Sequence, residues 1–201
     1  MTMRRFAYAC FVFAIALATI GATRTSSLPR AAQPAAAEAA FDPTNATTTP
    51  GYFSVVRVVD GDTIIVWKDG EDITVRLIGM DTPEVVDPRK PVECWGPEAS
   101  AEGKKLMTHQ DVRLVPDPSQ DEYDKYGRLL AYVYLPNGLF YNEFMIAQGF
   151  AHEYTYKKAY EFQKEFKTAQ AGARTAGRGF WSPATCNGDT GINSGTTTLA
   201  H

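Results

Sequence analysis

Residues Val58–Glu84 read VVDGDTIIVWKDGEDITVRLIGMDTPE, and this stretch decides the fold. It contains two runs rich in β-branched residues, Thr63–Lys68 and Ile73–Met80, which predict two strands. Asp69-Gly70 separates the runs and is a strong hairpin signal, because these residue types accept the positive φ angles of a two-residue turn. A hairpin brings the outer ends of its strands together, so the polar residues that flank the two runs are expected to meet.

Charged side chains interrupt the apolar alternation of this stretch at Asp60, Asp62, Arg76, Asp81 and Glu84. The hairpin allows Asp62, at the start of one strand, to face Asp81, just past the end of the other. Two converging carboxylates beside an arginine on the adjoining strand predict a cation site next to an anion site, which suits phosphate chemistry. Each aspartate could instead cap its own turn, and Arg76 could instead form a buried structural ion pair.

Asp62 and Asp81 are the candidate metal ligands. Carboxylate oxygens are hard ligands that select calcium or magnesium, and the sequence has no His/Cys cluster that would compete for zinc. We expect Ca²⁺ with modest affinity, since two carboxylates leave several coordination positions to carbonyls, water and substrate. Glu84 remains free to activate a water molecule, unless it is a solvated loop acid. Arg76 and Arg128 together could stabilise the charge of a reacting phosphate.

Length and charge limit the organisation and the partners of the chain. Its 201 residues allow one compact domain with tails, and its formal net charge of −3 provides no global basic field for nucleic acid. Any phosphate binding must therefore come from a local cluster. Residues 1–22 pair two arginines with an apolar run that is short for a transmembrane helix. They predict a secretory signal, with an uncleaved membrane anchor as the alternative.

The remaining boundaries follow from composition. Residues 23–50 are rich in Ala, Pro and Thr and predict a disordered linker, in which Asn45 begins a glycosylation sequon. The folded domain is predicted over residues 51–186. Residues 187–201 are rich in Gly, Thr and Asn and predict a disordered tail.

Beyond the hairpin, the sequence predicts further strands and three helices. Strands are inferred from β-branched and apolar runs, and helices from apolar periodicity, Pro and capping residues. The predicted elements are strands Phe53–Val59, Val112–Val115 and Leu129–Leu135, and helices Gly96–Gln110, Asn142–Gln148 and Lys157–Arg174. The expected fold is α+β, dominated by a five-stranded oligonucleotide-binding (OB-fold) β-barrel with the helices packed on it. Such a barrel can bind without chemistry, so fold alone does not decide function.

Single residues give further local expectations. Asn142 is expected to cap the second helix, and Gly103 to weaken the first helix by about 1 kcal/mol relative to alanine. The last helix carries a predicted buried stripe of Phe162, Phe166, Ala169 and Ala173. Removing the signal leaves Cys94 and Cys186, an even count that predicts a disulfide in an exported protein, unless the two thiols never meet. A disulfide over so long a loop would contribute about 4–5 kcal/mol in the chain-entropy model.

Five motifs, in order, resemble those of the thermonuclease family, typified by staphylococcal nuclease. They are VVDGDT, VRLIGMDTPE, GPEAS, DKYGR with LAYVYL, and NEFMIAQGFA. The resemblance covers about Phe53–Trp181, nearly the whole region that is predicted to be ordered. Any one motif alone would be weak, but five in the right order make the resemblance specific.

The resemblance implies roles for the acidic residues. Asp62 and Asp81 would be the calcium carboxylates, with the backbone carbonyl of Thr82 as a third ligand. Asp60 would be an acid near the ion that does not bind it directly, and Glu84 would activate the attacking water. Cys94 and Cys186 are not part of the family's catalytic pattern and would be an added link.

The resemblance also implies roles for basic and aromatic residues. Arg76 and Arg128 would grip the scissile phosphate, and Arg128 would also assist the leaving 5′ oxygen. Lys125 would hold a terminal phosphate, and Tyr154 and Tyr156 the nucleotide. The alternative for the two tyrosines is plain packing at the start of the last helix.

Two further expectations concern residues beside this site. Arg89 and Lys90 match a mobile basic loop of the family. Tyr126 is expected to pack with its polar tip outward.

The leading hypothesis is therefore a secreted, Ca²⁺-dependent nuclease acting on DNA and RNA. The resemblance implies that water attacks phosphorus in line and that the 5′ oxygen leaves, which yields 3′-phosphate ends. Loose recognition of phosphate and sugar favours single strands or breathing duplex, and a monomer is expected. The alternative is a non-catalytic OB-fold module that binds nucleic acid. The complete set of acids and arginines favours catalysis, because binding alone would not require it.

Overall fold

The computed structural model describes residues 51–191, and the predicted hairpin is its central element. Strands β2 (Thr63–Lys68) and β3 (Glu71–Leu77) pair antiparallel, with Lys68 opposite Glu71 and Thr63 opposite Arg76. The connecting turn has φ of 53° at Asp69 and 93° at Gly70, as a tight primed turn requires. The hairpin prediction is confirmed. The predicted signal, linker and sequon lie outside the described residues.

A closed five-stranded barrel forms around this hairpin, in the order β1-β2-β3-β6-β5. The other three strands are β1 (Phe53–Val58), β5 (Asp111–Val115) and β6 (Leu129–Tyr134). β3 and β6 run parallel, and the other neighbouring pairs are antiparallel. The predicted OB-fold barrel is confirmed, and closure leaves no free edge between the first and last strands.

The third predicted strand is wrong in its extent. The sequence predicted one strand over Ile73–Met80, but β3 ends at Leu77 and Gly79 follows with a φ of 78°. A Cβ at Gly79 would lie 2.6 Å from the Tyr160 ring, so only glycine fits here. The chain then forms the short strand β4 (Met80–Asp81), which pairs with β7 (His152–Glu153). This break turns Asp81 back toward the barrel end.

Three helices pack on the barrel, with bounds that differ from the predicted ones. They are α1 (Gly96–Met107), α2 (Tyr141–Ala147) and α3 (Gln163–Thr175), followed by a 3₁₀ turn at Gly179–Trp181. α1 was predicted to reach Gln110 and α3 to begin at Lys157, and both predictions are wrong. The segment before α3 is held elsewhere, because the Tyr160 hydroxyl donates to the Gly79 carbonyl at 3.2 Å. In the predicted stripe Phe166 and Ala173 are fully buried, and Phe162 and Ala169 pack against the core.

Asn142 does not cap α2, so that prediction is wrong. It lies inside the helix and is fully buried, and Phe140 occupies the cap position without a side-chain cap. The Asn142 amide accepts from the backbone N–H of Val133 and donates to the carbonyl of Ile78, both at 2.9 Å. Buried polar groups need such partners. Asn142 therefore ties α2 to both β6 and the end of β3.

A disulfide joins Cys94 to Cys186, as predicted, across a sequence separation of 92. The ordered chain continues past residue 186, because the backbone N–H of Gly188 donates to the Phe180 carbonyl and that of Cys94 to the Thr190 carbonyl. Within residues 51–191 no helix combines the length and apolar character needed to cross a bilayer.

At Gly103 in α1, helix propensity and side-chain packing predict opposite effects of a substitution by alanine. A Cβ there would lie 2.8 Å from the Tyr141 hydroxyl oxygen. Tyr141 is fully buried and donates to the Gly61 carbonyl at 2.9 Å, so it cannot move aside freely. We expect Gly103→Ala to lower the free energy of unfolding by about 1–3 kcal/mol in urea denaturation, against the gain that propensity alone predicts. In a Tyr141→Phe background the cost should shrink, and an equal gain in both backgrounds would contradict this packing.

Candidate active site

Arg76 links the two ends of the quoted stretch. It lies on β3 opposite Thr63, and its side chain is only 14% exposed. One guanidinium nitrogen contacts Asp62 Oδ1 at 2.6 Å and the other contacts Asp81 Oδ1 at 2.5 Å. Arg76 therefore forms the buried ion pair that was the alternative to phosphate binding, and it also brings the two predicted metal ligands together.

Asp62 is fixed by the residues around it. Its Oδ2 accepts the backbone N–H of Thr82 at 2.8 Å and the Thr82 hydroxyl at 3.0 Å, and its Oδ1 accepts the Thr63 hydroxyl at 2.9 Å. Asp62 is 6% exposed. A Cβ at Gly61 would lie 2.6 Å from Thr82 Cγ2, so the acidic turn and Thr82 pack without room for a side chain. All three predicted metal ligands therefore lie at this end of the barrel.

The carboxylates around Arg76 carry more negative charge than one guanidinium balances. Burial raises the pKa of Asp60 to about 7, and the neighbouring Asp62 charge adds to this effect. Asp60 Oδ1 also accepts the backbone N–H of Asp62 at 3.1 Å. Partial burial raises the pKa of Asp81 to about 6, with the Asp62 charge adding and Arg76 opposing. A further positive charge would stabilise the ionised cluster.

Glu84 is not a solvated loop acid, so that alternative is wrong. Its Oε1 accepts three backbone N–H groups, from Val85 at 2.9 Å, Val86 at 2.8 Å and Asp87 at 3.0 Å. The carboxylate thus organises the start of its own loop. All three of these bonds go to Oε1 and none to Oε2.

Arg128 reaches the site from the strand beside β3. It immediately precedes β6, which runs parallel to β3, so it lies near Arg76 at the same end of the barrel. Asp124 holds its guanidinium, with Nε donating at 2.7 Å and Nη2 lying at 2.6 Å from the same carboxylate oxygen. The Arg128 side chain keeps 30% exposure, which leaves part of the guanidinium open to an anion.

A cleft of about 780 Å³ opens beside these arginines. Its lining includes Arg76, Asp81 and Arg128, whereas Asp62, Thr82 and Glu84 lie outside it. The predicted substrate residues Lys125, Tyr154 and Tyr156 also line the cleft. The two tyrosines are 43% and 59% exposed with ring centroids 6.4 Å apart, so the packing alternative for them is wrong. The loop residues Arg89 and Lys90 are exposed and do not line it, and Arg89 pairs with Asp87 at 2.8 Å.

The sequence prediction for Tyr126 is wrong. Its ring is 71% exposed and lines the cleft, with the Lys125 ammonium 4.8 Å and the Arg128 guanidinium carbon 5.4 Å from its centroid. Tyr123, for which the sequence predicted no role, also lines the cleft and is 48% exposed. The alternation of basic and aromatic residues in Asp124–Arg128 was the available signal, since bases stack on such rings.

The metal prediction depends on few protein donors. Within residues 51–191 no three His, Cys, Asp or Glu side chains converge as a metal-ligand cluster. The predicted set needs two carboxylates and one carbonyl, and its hard oxygen donors still fit calcium or magnesium.

Comparison with known proteins agrees with this fold. The family described as Staphylococcal nuclease homologue matches residues 74–183. The chain belongs to the staphylococcal nuclease family. Over 130 residues it is 45% identical to the thermonuclease of Staphylococcus hyicus, covering 65% of this chain and 75% of that relative. The Staphylococcus intermedius thermonuclease is 43% identical over 129 residues, covering 64% and 75%.

A more distant relative has the same reaction class in its name. The SPbeta prophage-derived endonuclease YokF of Bacillus subtilis is 37% identical over 138 residues, covering 68% of this chain and 46% of the relative. Together with the family match, these relatives make the chain a nuclease and hence a hydrolase.

The raised pKa of Asp60 makes the stability of the protein depend on pH. The contribution of Asp60 to stability is complete below its unfolded pKa and is lost as pH rises through about 7. Asp60→Asn cannot ionise but keeps an oxygen for the Asp62 N–H. With chelator present, we expect the variant to match the stability of wild type at about pH 4 and to exceed it by up to about 4 kcal/mol at about pH 8. Urea denaturation measures this, with exposed Asp72→Asn as control, and a pH-independent difference would contradict it.

Proposed function

We propose that this nuclease is a Ca²⁺-dependent enzyme that hydrolyses phosphodiester bonds of DNA and RNA and leaves 3′-phosphate ends. One observation carries the proposal: Arg76, Asp81 and Arg128 line a single cleft together with lysine and tyrosine side chains. Such a cleft offers guanidinium groups to a phosphate, a carboxylate to a cation and aromatic rings to a base. The relatives called thermonuclease and endonuclease support the same reaction class.

The cation would be held by the carboxylates of Asp62 and Asp81 and by the Thr82 carbonyl, with Asp60 beside it. The chemistry of these donors supports a hard divalent ion. Burial and then the neighbouring Asp62 charge raise the pKa values of Asp60 and Asp81, and a bound cation would oppose both effects. When bound, Ca²⁺ would supply charge stabilisation to the reacting phosphate. Arg76 can turn from Asp81 to that phosphate once another positive charge balances the carboxylates.

The residues of the chain then divide the reaction between them. A water molecule forms the new bond to phosphorus. Its proton passes to Oε2 of Glu84, because Oε1 accepts the three N–H groups of the loop. The bond from phosphorus to the 5′ oxygen breaks, and that oxygen leaves beside Arg128 and takes up a proton from solvent. Arg76 and Arg128 donate hydrogen bonds to the oxygens that gain charge, where fixed donors are most effective.

Substrate recognition would fall to the rest of the cleft. Lys125 provides a positive charge for a terminal phosphate, and Tyr154, Tyr156 and Tyr126 present exposed rings. Stacking on such rings tolerates any base but requires an unpaired one, which favours single strands and breathing duplex. Arg89 and Lys90 would meet the nucleic acid from the exposed loop beside the site. A single chain carries the whole set, so the proposal needs no second copy.

Export is proposed for the same protein. The N-terminal signal pattern supports it, and so does the Cys94–Cys186 disulfide, because disulfides persist mainly in oxidising compartments.

Digestion of single-stranded DNA and RNA by the full chain tests this function. Cleavage is expected with Ca²⁺, and loss of cleavage with chelator. Glu84→Ser should lower kcat by about 10²–10⁴-fold and Arg128→Ala by about 10²–10³-fold, because each removes a group that acts on the transition state. Glu71→Ser and Lys104→Ala, at exposed positions, should leave kcat unchanged.

The contrary outcomes are separate. Tight nucleic-acid binding without cleavage under any metal would leave the protein as a binding module of the OB fold. Cleavage that survives Glu84→Ser would keep the nuclease and overturn the choice of base. Cleavage that persists in chelator would overturn the metal requirement.

A further inference from the structure

The backbone of Glu84 is hydrogen-bonded to Glu93, which lies at the other end of the same loop. The N–H of Glu84 donates to Glu93 Oε2 at 3.0 Å, and the N–H of Glu93 donates to the Glu84 carbonyl at 2.9 Å. These bonds hold the Glu84 backbone from both of its peptide groups. Because the Glu84 carboxylate itself binds the N–H groups of Val85, Val86 and Asp87, its own bonds fix it only to its loop.

The loop between the two glutamates offers little other anchorage. Residues 85–92 contain no helix or strand, and Val86 and Val92 are 50% and 59% exposed. Few buried apolar contacts make a segment prone to local opening. The position of Glu84 therefore depends on the buried residues Thr82 and Pro83 that precede it and on the base of the loop, where Glu93 lies.

Glu93 is in turn fixed to the body of the protein. Its carbonyl accepts the N–H of Gly96, the first residue of α1, at 3.1 Å. A Cβ at Gly96 would lie 2.6 Å from Val85 Cγ1 and 3.0 Å from the carbonyl oxygens of Pro83 and Glu84. The start of α1 thus packs directly on the backbone that carries Glu84.

The disulfide reinforces this junction at the next residue. Cys94 is covalently joined to Cys186, and its N–H donates to the carbonyl of Thr190 at 3.0 Å. The C-terminal segment is therefore attached to the residue that follows Glu93. Neither the family match nor the catalytic residues proposed above assign a role to Glu93 or to this link.

We propose that Glu93 is a positioning residue for Glu84 and that the Cys94–Cys186 disulfide holds Glu93 in place for this role. The proposal rests on the proposed function, in which Glu84 accepts the proton of the attacking water. A misplacement of about 1 Å at a reacting group can cost about 100-fold in rate. Loss of the bond from the Glu84 N–H to the Glu93 side chain should therefore lower kcat and leave KM nearly unchanged, since the cleft residues that bind substrate are not touched.

The side chain of Glu93 acts here as a hydrogen-bond acceptor, and its charge is not needed. A glutamine side chain at this position would keep an acceptor oxygen for the Glu84 N–H, whereas alanine would not, so the test uses Glu93→Gln and Glu93→Ala. We expect kcat to fall about 10–100-fold in Glu93→Ala and to stay within about threefold of wild type in Glu93→Gln. An equal loss in both variants would overturn the proposal, because the charge of Glu93, which also lies near Asp81, would then be the active property.

A double-mutant cycle separates this inference from the proposed function. If Glu93 acts through Glu84, Glu93→Ala should lower kcat no further in a Glu84→Ser background. A full additional loss in that background would overturn the positioning role. Full activity of Glu84→Ser alone would instead overturn the proposed base. Amide hydrogen exchange at Glu84 gives a second readout without activity, and unchanged protection in Glu93→Ala would also contradict the proposal.

The disulfide arm uses a Cys94→Ala/Cys186→Ala double variant and wild type treated with a thiol reductant, both assayed well below their unfolding temperatures. We expect kcat to fall in both, with faster amide exchange at Glu84. The fall should be absent in the Glu93→Ala background, where the link has nothing left to position. A link that changes the unfolding temperature but leaves kcat and exchange at Glu84 unchanged would be a purely structural one, contrary to the proposal.

Discussion

The contact of Arg76 with Asp62 and Asp81 is the interaction on which the rest of the site depends. It closes the two ends of the central stretch on each other, at 2.6 and 2.5 Å. A guanidinium suits this place because its planar fork can serve two carboxylates at once and stays charged when buried. The pair of carboxylates nevertheless exceeds its charge, and this excess is the physical reason to expect a second cation there.

The fold places this contact beside the cleft through its strand order. Parallel pairing of β3 with β6 brings Arg128 to the end of the barrel where Arg76 lies. The break at Gly79 then returns Asp81 to the same end, and α2 holds that break through Asn142. The proposed binding and catalytic groups thus come from distant parts of the chain, while the barrel keeps them in fixed relation.

Local sequence patterns predicted much of this arrangement. They failed where contacts with residues distant in the sequence determine the local structure. The Asp69-Gly70 turn and the meeting of Asp62 with Asp81 follow from strand alternation and turn chemistry alone. The end of β3 does not, because Gly79 is required by the Tyr160 ring that packs on it. Asn142 looked like a cap since its residue type favours caps, but long-range backbone partners bury it.

The same distinction applies at the site. Tyr126 is exposed, and the Glu84 N–H binds the Glu93 side chain, because of how the loops fold back. Hydrophobic periodicity in the sequence does not predict loop conformation. The pairing of Cys94 with Cys186 was predictable from the number of cysteines. Only the structure shows that the disulfide lies next to Glu93, whose side chain binds the Glu84 N–H.

The central claim is that Asp62 and Asp81 form a cation site next to the phosphate-binding arginines. Isothermal titration of Ca²⁺ into the full chain tests it most directly, in buffers of different ionisation enthalpy at about pH 5 and about pH 8. Because the pKa of Asp81 is raised to about 6, binding should release protons and tighten as pH rises through that value. Asp81→Asn should reduce the proton release, leaving the part that comes from Asp60, and should weaken binding. Binding that ignores both pH and Asp81→Asn, or no binding at all, would contradict the account.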